Sequence, residues 1–309
     1  MKQFTQLFKT IDATTSTLKK TKALAEYFSG AEPRDAAWAS YFLAGGRPRR
    51  VVPTAVLRQL AYQIAGIDEW IFNESYAVTG DLAEAIAYVL PICTGQSNAT
   101  LAEWVEQRIL PLKDLSRADQ CQEIALAWSQ LDDDERFIYI KLIGGNFRIG
   151  VSKLSVQKAL SQCSGVDAKV IAQRMMGYTD KKITPTAQRY LAIVNPLEQA
   201  QTDLGQPYPF FLAHQVNADP ASLGPISDWL SEWKYDGIRA QILRRAGQVW
   251  IWTRGEELVT DRFPEVGALA ANLPDGTVLD GEILAWADGS AQPAPFSVLQ
   301  RRIGRASLT

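Results

Sequence analysis

In the run Glu232-Trp233-Lys234-Tyr235-Asp236-Gly237-Ile238-Arg239, a single lysine lies two residues after one carboxylate and two before another, just ahead of a strand-like stretch. A lysine amine attacks an electrophile only when neutral. Nucleophilic chemistry here therefore needs a site that disfavours the ammonium, through desolvation or neighbouring positive charge. Trp233, Tyr235 and Ile238 are the expected apolar walls. Arg239 and the later Arg254 are the expected cationic neighbours, with planar donor sets suited to gripping a polyphosphate. Gly237 fits a bend where a β-carbon would crowd a ligand. Taken alone, Lys-x-Asp-Gly favours a surface turn with a solvated lysine.

Two further stretches follow in order: Thr253-Arg254-Gly255 with Asp261-Arg262-Phe263-Pro264, then Leu279-Asp280-Gly281-Glu282. Together with the lysine run they resemble the nucleotidyl-transferase core of ATP-dependent DNA ligases, most closely the bacterial type with an N-terminal helical DNA-binding domain. The resemblance implies that Lys234 attacks the α-phosphate of ATP and holds AMP as a phosphoramidate. It also implies that Glu232 recognises adenine, that Arg239 and Glu282 hold the ribose, and that Arg254 holds the ribose or the phosphates. Asp280 receives no role. ATP and Mg2+ are the implied cofactors, and nicked double-stranded DNA is the implied partner. The AMP would pass to the 5′-phosphate of the nick and be displaced by the 3′-hydroxyl, in repair, replication or recombination. No metal ligand is assigned. In this family the core continues into further acidic and lysine motifs and an OB-fold, whereas this chain stops at Thr309. It is therefore expected to be the N-terminal part of a ligase, and its activity alone is open. Three other readings compete: an RNA ligase or mRNA-capping enzyme sharing Lys-x-Asp-Gly, an NAD-dependent ligase, and a DNA-binding module with an incomplete, inactive catalytic half. The long helical region before the lysine disfavours the first, and the lack of a Tyr-rich segment ahead of it disfavours the second.

The elements that must position these residues fall into an all-α part and a mixed part, giving a multidomain α and α+β chain. Residues 1–195 are expected to be a helical DNA-binding domain, 196–225 an extended linker, and 226–309 part of a mixed α/β, ATP-grasp-like nucleotidyl-transferase domain. Apolar period and capping residues predict helices from Ser16 or Thr17 through Phe28, around Trp38 to Phe42, and from Pro53 through Ile64. More are predicted near 68–77, 81–90, 99–109, 117–130, 134–143, 153–162, 167–176 and 186–194. Prolines between Asn195 and Pro225 break helical period, and Phe210, Phe211 and Leu212 are expected to anchor that connection. After Pro225 the pattern alternates. Strands are predicted over Gly237 to Arg245, Gln248 to Thr253, and Val278 through Ile283 to Trp286, with a turn at Ala246-Gly247 and a helix over 264–271. Phe296 to Arg305 reads as a further helix.

Lys plus Arg (32) nearly balances Asp plus Glu (34), so a nucleic-acid surface has to be a local patch. One candidate is Gly144-Gly145-Asn146-Phe147-Arg148-Ile149-Gly150-Val151-Ser152. There a capped helix start would aim backbone N–H groups outward beside Arg148 and Lys153, a geometry suited to phosphate. Arg148-Ile149-Gly150 also resembles a loop of the ligase helical domain that touches DNA backbone, which makes Arg148, Gly150 and Lys153 the DNA-binding candidates. A plain helix connection is the alternative. Between Lys141 and Arg189 nine basic residues stand against two acids, and Arg47, Arg49 and Arg50 form a second cluster. Cys93, Cys121 and Cys163 match no metal or disulfide spacing, and the single histidine, His214, makes no zinc site with them. The lack of a signal peptide and of a long apolar run argues against export and membrane insertion, and the resemblance implies a monomer in the bacterial cytoplasm, associated with the nucleoid.

Overall fold

The computed structural model describes every residue except 47–50, 96, 146, 148, 181–182, 198–203, 212, 214 and 304–309. The chain divides into two compact units, Met1–Gln199 and Ala200–Thr309.

Every regular element among the described residues of the first unit is a helix. It begins with α1 (Lys2–Asp12), α2 (Thr17–Gly30), α3 (Pro33–Leu43), α4 (Thr54–Ala65), α5 (Glu69–Thr79) and α6 (Leu82–Val89). A short α7 (Leu101–Glu103) then runs on as wide π turns over Trp104–Ile109. The unit closes with α8 (Arg117–Gln130), α9 (Asp133–Ile143), α10 (Lys153–Ser164), α11 (Ala168–Arg174) and α12 (Ala187–Val194). Local chemistry sets these limits. Ser16, Asp81, Ser116, Ser152, Asp167 and Thr186 each accept an N–H of the first turn that follows. Thr100 with Glu103, and Asp132 with Glu135, close reciprocal capping boxes. Gly66, Gly80 and Gly165 take positive φ to end α4, α5 and α10.

The predicted helices thus form, and one more precedes them. Phe4, Leu7, Phe8 and Ile11 recur at one-face spacing and bury α1 in the common core. No side chain caps the start of α1, so only its period announces it. Phe147 reaches the same core from the loop after α9, within 5.8 Å of the rings of Phe4, Phe8 and Phe42.

The second unit is built on an antiparallel sheet in the order β2-β1-β3, with β1 Ile238–Arg245, β2 Gln248–Thr253 and β3 Val278–Ile283. Ala246 and Gly247 both take positive φ, 46° and 77°, the handedness that a two-residue hairpin turn requires. Asp275 secures that turn by accepting the N–H groups of Ala246 (3.0 Å) and Gly247 (3.1 Å). Those bonds, Gly247's first, hold its carboxyl below the usual range. One sheet face carries Ile238, Ala240 and Ile251 against Val259, Phe263 and Leu299, which draws α13 (Pro264–Ala270) and α14 (Phe296–Ile303) onto it. The opposite face carries Arg239, Gln241 and Arg245 of β1 and Trp250 and Trp252 of β2.

Two expectations need correction. β3 stops at Ile283, short of Trp286, because the chain folds back on itself: Ala294 N–H bonds Ala285 O (2.7 Å), and the Trp286 indole bonds Ser290 O (2.9 Å). Nor does Phe211 anchor the connection before the sheet, being 78% exposed; Leu212 lies outside the described residues. The fastening lies earlier, at Leu204 to Tyr208, which bond to Arg245, Trp252 and Gln241.

Candidate active site

β1 delivers the lysine run to the sheet, and its register decides what meets it. Arg239 stands opposite Glu282 on β3, and Gln241 opposite Asp280. At the other end of the hairpin the chain turns back, so that Arg254 N–H donates to Arg239 O (2.9 Å). Lys234, Glu232, Arg239, Arg254 and Glu282 consequently line one cavity of about 1400 Å³, together with Asp236, Asp280 and Thr253. All five residues proposed from the lysine run and the later motifs are brought together.

Their pairings differ from expectation. Arg239 gives two donors to Asp280, Nε to Oδ1 at 3.0 Å and Nη2 to Oδ2 at 3.2 Å, a fork-on-carboxylate pair. Asp280 bonding raises the guanidinium's pKa further, with Glu282 and Glu232 adding to the effect. Glu282 instead accepts Gly237 N–H at 3.1 Å. Asp280 is thus the residue that sequence reasoning left without a role. Only the diagonal geometry across paired strands reveals it.

Gly237 has a different reason from the one expected. A β-carbon there would lie 2.4 Å from Ile283 O and 2.9 Å from Glu282 Cγ, so glycine permits close approach of β3 and not of a ligand. The apolar walls also fail to close over the lysine. Trp233 is 86% and Tyr235 43% exposed, whereas Ile238 turns into the core on the other face. The cationic neighbours expected for the lysine, Arg239 and Arg254, do line the cavity with it, Arg239 already paired with Asp280.

Donor chemistry decides which ligands fit. Three cations and five carboxylates line one open cavity, which suits a nucleotide with phosphates on the cations and hydroxyl groups on the carboxylates. Mg2+ requires a near-octahedral set of oxygens. Asp280 already faces Arg239, and Glu282 faces Gly237. Among the described residues no three His, Cys, Asp or Glu cluster as a metal site, so these residues do not by themselves fit a resident Mg2+.

In the helical unit, Gly150 and Lys153 meet at the start of α10, while Arg148 lies outside the described residues. Phe147 and Ile149 are buried, and Gly150 takes φ +59°. Lys20 of α2 donates to Gly150 O at 2.9 Å, a third basic residue at this loop that no local spacing announces. Lys153 Nζ donates to Met175 O at 3.4 Å. Much of the basic run beyond is structural. Lys141 pairs with Asp81, Arg174 bonds the carbonyls of Ile193 and Asn195 (2.9 Å each), and Arg189 lies over the Tyr178 ring. Lys181, Lys182, Arg47, Arg49 and Arg50 lie outside the described residues.

A helical unit followed by a sheet that gathers a lysine, two arginines and acidic partners around one cavity defines a nucleotidyl-transferase-type arrangement. Residues 1–161 match the family described as DNA ligase N terminus, and residues 211–308 match the ATP dependent DNA ligase domain. The chain belongs to the ATP-dependent DNA ligase family. A probable DNA ligase of Opitutus terrae is 28% identical across 96% of this chain and 36% of its own length. A probable DNA ligase of Koribacter versatilis is 28% identical across 98% and 53%, and a DNA ligase of Pyrobaculum islandicum 27% across 97% and 55%. The chain therefore spans about half the length of the latter two and about a third of the first.

Proposed function

We infer that the protein seals nicks in duplex DNA at the expense of ATP, with Lys234 as the nucleophile. The observation that carries this reading is the single cavity in which Lys234 meets Glu232, Arg239, Arg254 and Glu282. In the first step the Lys234 Nζ–phosphorus bond forms as the bond between the α-phosphorus and its bridging oxygen breaks. Pyrophosphate leaves and the amine gives up a proton. Charge builds on the phosphoryl oxygens, where Arg254 offsets it. Arg239, held by Asp280, and Glu282, held by Gly237, are oriented before ATP arrives and take the ribose. Glu232 takes the adenine. Transfer of AMP to the 5′-phosphate of a nick then frees the lysine, and attack by the 3′-hydroxyl releases AMP.

On this reading residues 1–195 form the DNA-binding domain and use Arg148, Gly150 and Lys153 on the backbone. Residues 196–225 connect it to the adenylating part, 226–309. Mg2+ accompanies ATP as the counter-ion of its phosphates. Family membership supports a monomer acting on nicked DNA in the cytoplasm beside the nucleoid, in repair, replication or recombination. No helix among the described residues is long and apolar enough to cross a membrane.

The test is incubation with ATP, NAD or GTP labelled at the α-phosphate (for NAD, the adenylyl phosphate), on the chain and on a ligase-length protein that contains it. Label from ATP on Lys234 is expected. Transfer from GTP or from NAD would mark the other lysine nucleotidyl-transferases, and no covalent nucleotide in either protein would leave a DNA-binding role alone.

A further inference from the structure

Residues 204–208 are strapped across the sheet face that carries Arg239, Asp280 and Glu282. Arg245 donates to the carbonyls of Leu204 and Gln206 at 3.2 Å and lies 5.4 Å from the Tyr208 ring centre. The Trp252 indole N–H donates to Gly205 O at 2.7 Å. A β-carbon on Gly205 would come within 2.7 Å of Trp250 Nε1, so the strap lies flush on that indole. Gln241 completes the fastening. Its side chain is only 3% exposed; Oε1 accepts Tyr208 N–H at 2.9 Å, and Nε2 donates to Tyr208 O at 3.0 Å. One carboxamide thus satisfies both backbone groups of a single residue, as a neighbouring strand would. Gln241 also stands opposite Asp280 in the strand register and two residues from Arg239, on the same face. Ala213, five residues beyond Tyr208, lines the cavity with Lys234.

We propose that Gln241 is a positioning residue for the nucleotide. By pinning Tyr208 it fixes where the chain enters the cavity wall at Ala213, and it holds that wall beside the Arg239–Asp280 pair. The proposal rests on the nucleotide reading of the cavity, and its experiment is separable from the test of that reading. Gln241→Leu keeps the side-chain volume close and removes both bonds. Binding of α,β-methylene ATP, in which carbon replaces the bridging oxygen that would leave, is measured by calorimetry on the chain. The dissociation constant is expected to rise about tenfold, roughly 1.4 kcal/mol, with faster amide exchange at Tyr208 and Ala213. Gln241→Glu supplies the second readout. As a neutral acid it again offers one donor and one acceptor to Tyr208, so its affinity relative to the parent protein recovers as pH falls. A role in folding alone would lower the melting temperature and leave nucleotide affinity untouched. Unchanged affinity in Gln241→Leu overturns the proposal. Absence of AMP on Lys234 in the parent protein, with analogue binding still lost in Gln241→Leu, would instead strike the proposed chemistry and leave the role of Gln241 standing.

Discussion

Arg239 spends two of its donors on Asp280, and that pairing decides what each carboxylate of β3 can do. Glu282 remains near the cavity with one backbone partner, while Asp280 acts through the arginine that it orients. Lys234→Ala is expected to abolish AMP uptake with the melting temperature unchanged, since this exposed side chain contributes little to packing. Lys234→Arg should fail as well, because a guanidinium stays protonated. AMP retained on either variant, read by mass spectrometry, would remove Lys234 as the nucleophile. Arg254→Ala and Glu282→Ala should each slow AMP transfer at least about tenfold, near 1.4 kcal/mol at the transition state. Asp280→Ala should cost as much as Arg239→Ala, and the double variant should cost no more than either alone, since both break one unit. Additive losses in single-turnover rates would dissolve that unit. Five site residues were legible because the short contiguous runs that carry them resemble the family's motifs, which need no knowledge of how distant strands pair. The Asp280–Arg239 pair was not, since it depends on β1 and β3 pairing across about forty intervening residues. Gly237 was legible as necessary but not for its actual reason, the carbonyl of Ile283, which belongs to the same distant strand.

Helix ends dominate at the scale of elements, because capping side chains lie within three residues of what they cap. That explains why the helical unit could be read almost entirely from sequence. Where an element lacked such a signal, as α1 does, only its apolar period remained. One cap does more than start a helix. Asp81 accepts the N–H groups of Ala83 and Glu84 at the start of α6 and also pairs with Lys141 of α9, whose ammonium lies over the Phe137 ring. Burial pushes the Asp81 carboxyl up, but the Lys141 bond and the two N–H groups outweigh it and hold it below the usual range. A depressed carboxyl contributes stability that is present above its unfolded pKa, about 3.9, and is lost as pH falls through the folded value. Thermal melting between pH 5 and pH 3 should therefore show a smaller acid loss in Asp81→Asn, which keeps the cap but not the charge. Parallel curves for the two proteins would mean that the Lys141 pair contributes nothing to folding.

A net charge of −2 gives the chain no general attraction for a polyanion, so the proposed affinity for DNA would have to come from a small set of residues held in place. Counting basic residues between Lys141 and Arg189 exaggerates that set, since Lys141, Arg174 and Arg189 are committed to an ion pair, two carbonyls and a tyrosine ring. The loop before α10 is the better candidate. Phe147 and Ile149 bury themselves in the core, Ser152 caps the helix, and Lys20 ties down the Gly150 carbonyl. A backbone fixed at so many points can present N–H groups to phosphate without reading bases, as the proposed sealing of nicks in any sequence would require. Binding of the chain to duplex DNA should therefore show little sequence preference and weaken steeply with salt. Replacing Arg148 and Lys153 together by alanine should weaken it equally for all sequences and flatten the slope of log affinity against log salt by about two phosphate contacts, each worth about 0.9. Lys20→Ala, which frees the loop while removing one more charge, should weaken binding by more than its single contact in the salt slope accounts for. If the double variant keeps the parent slope, the loop is only a connection between helices. The same titration would then pass to Arg47, Arg49 and Arg50, which precede Val51, whose N–H bonds Ile143 O (3.2 Å) one residue before Gly144.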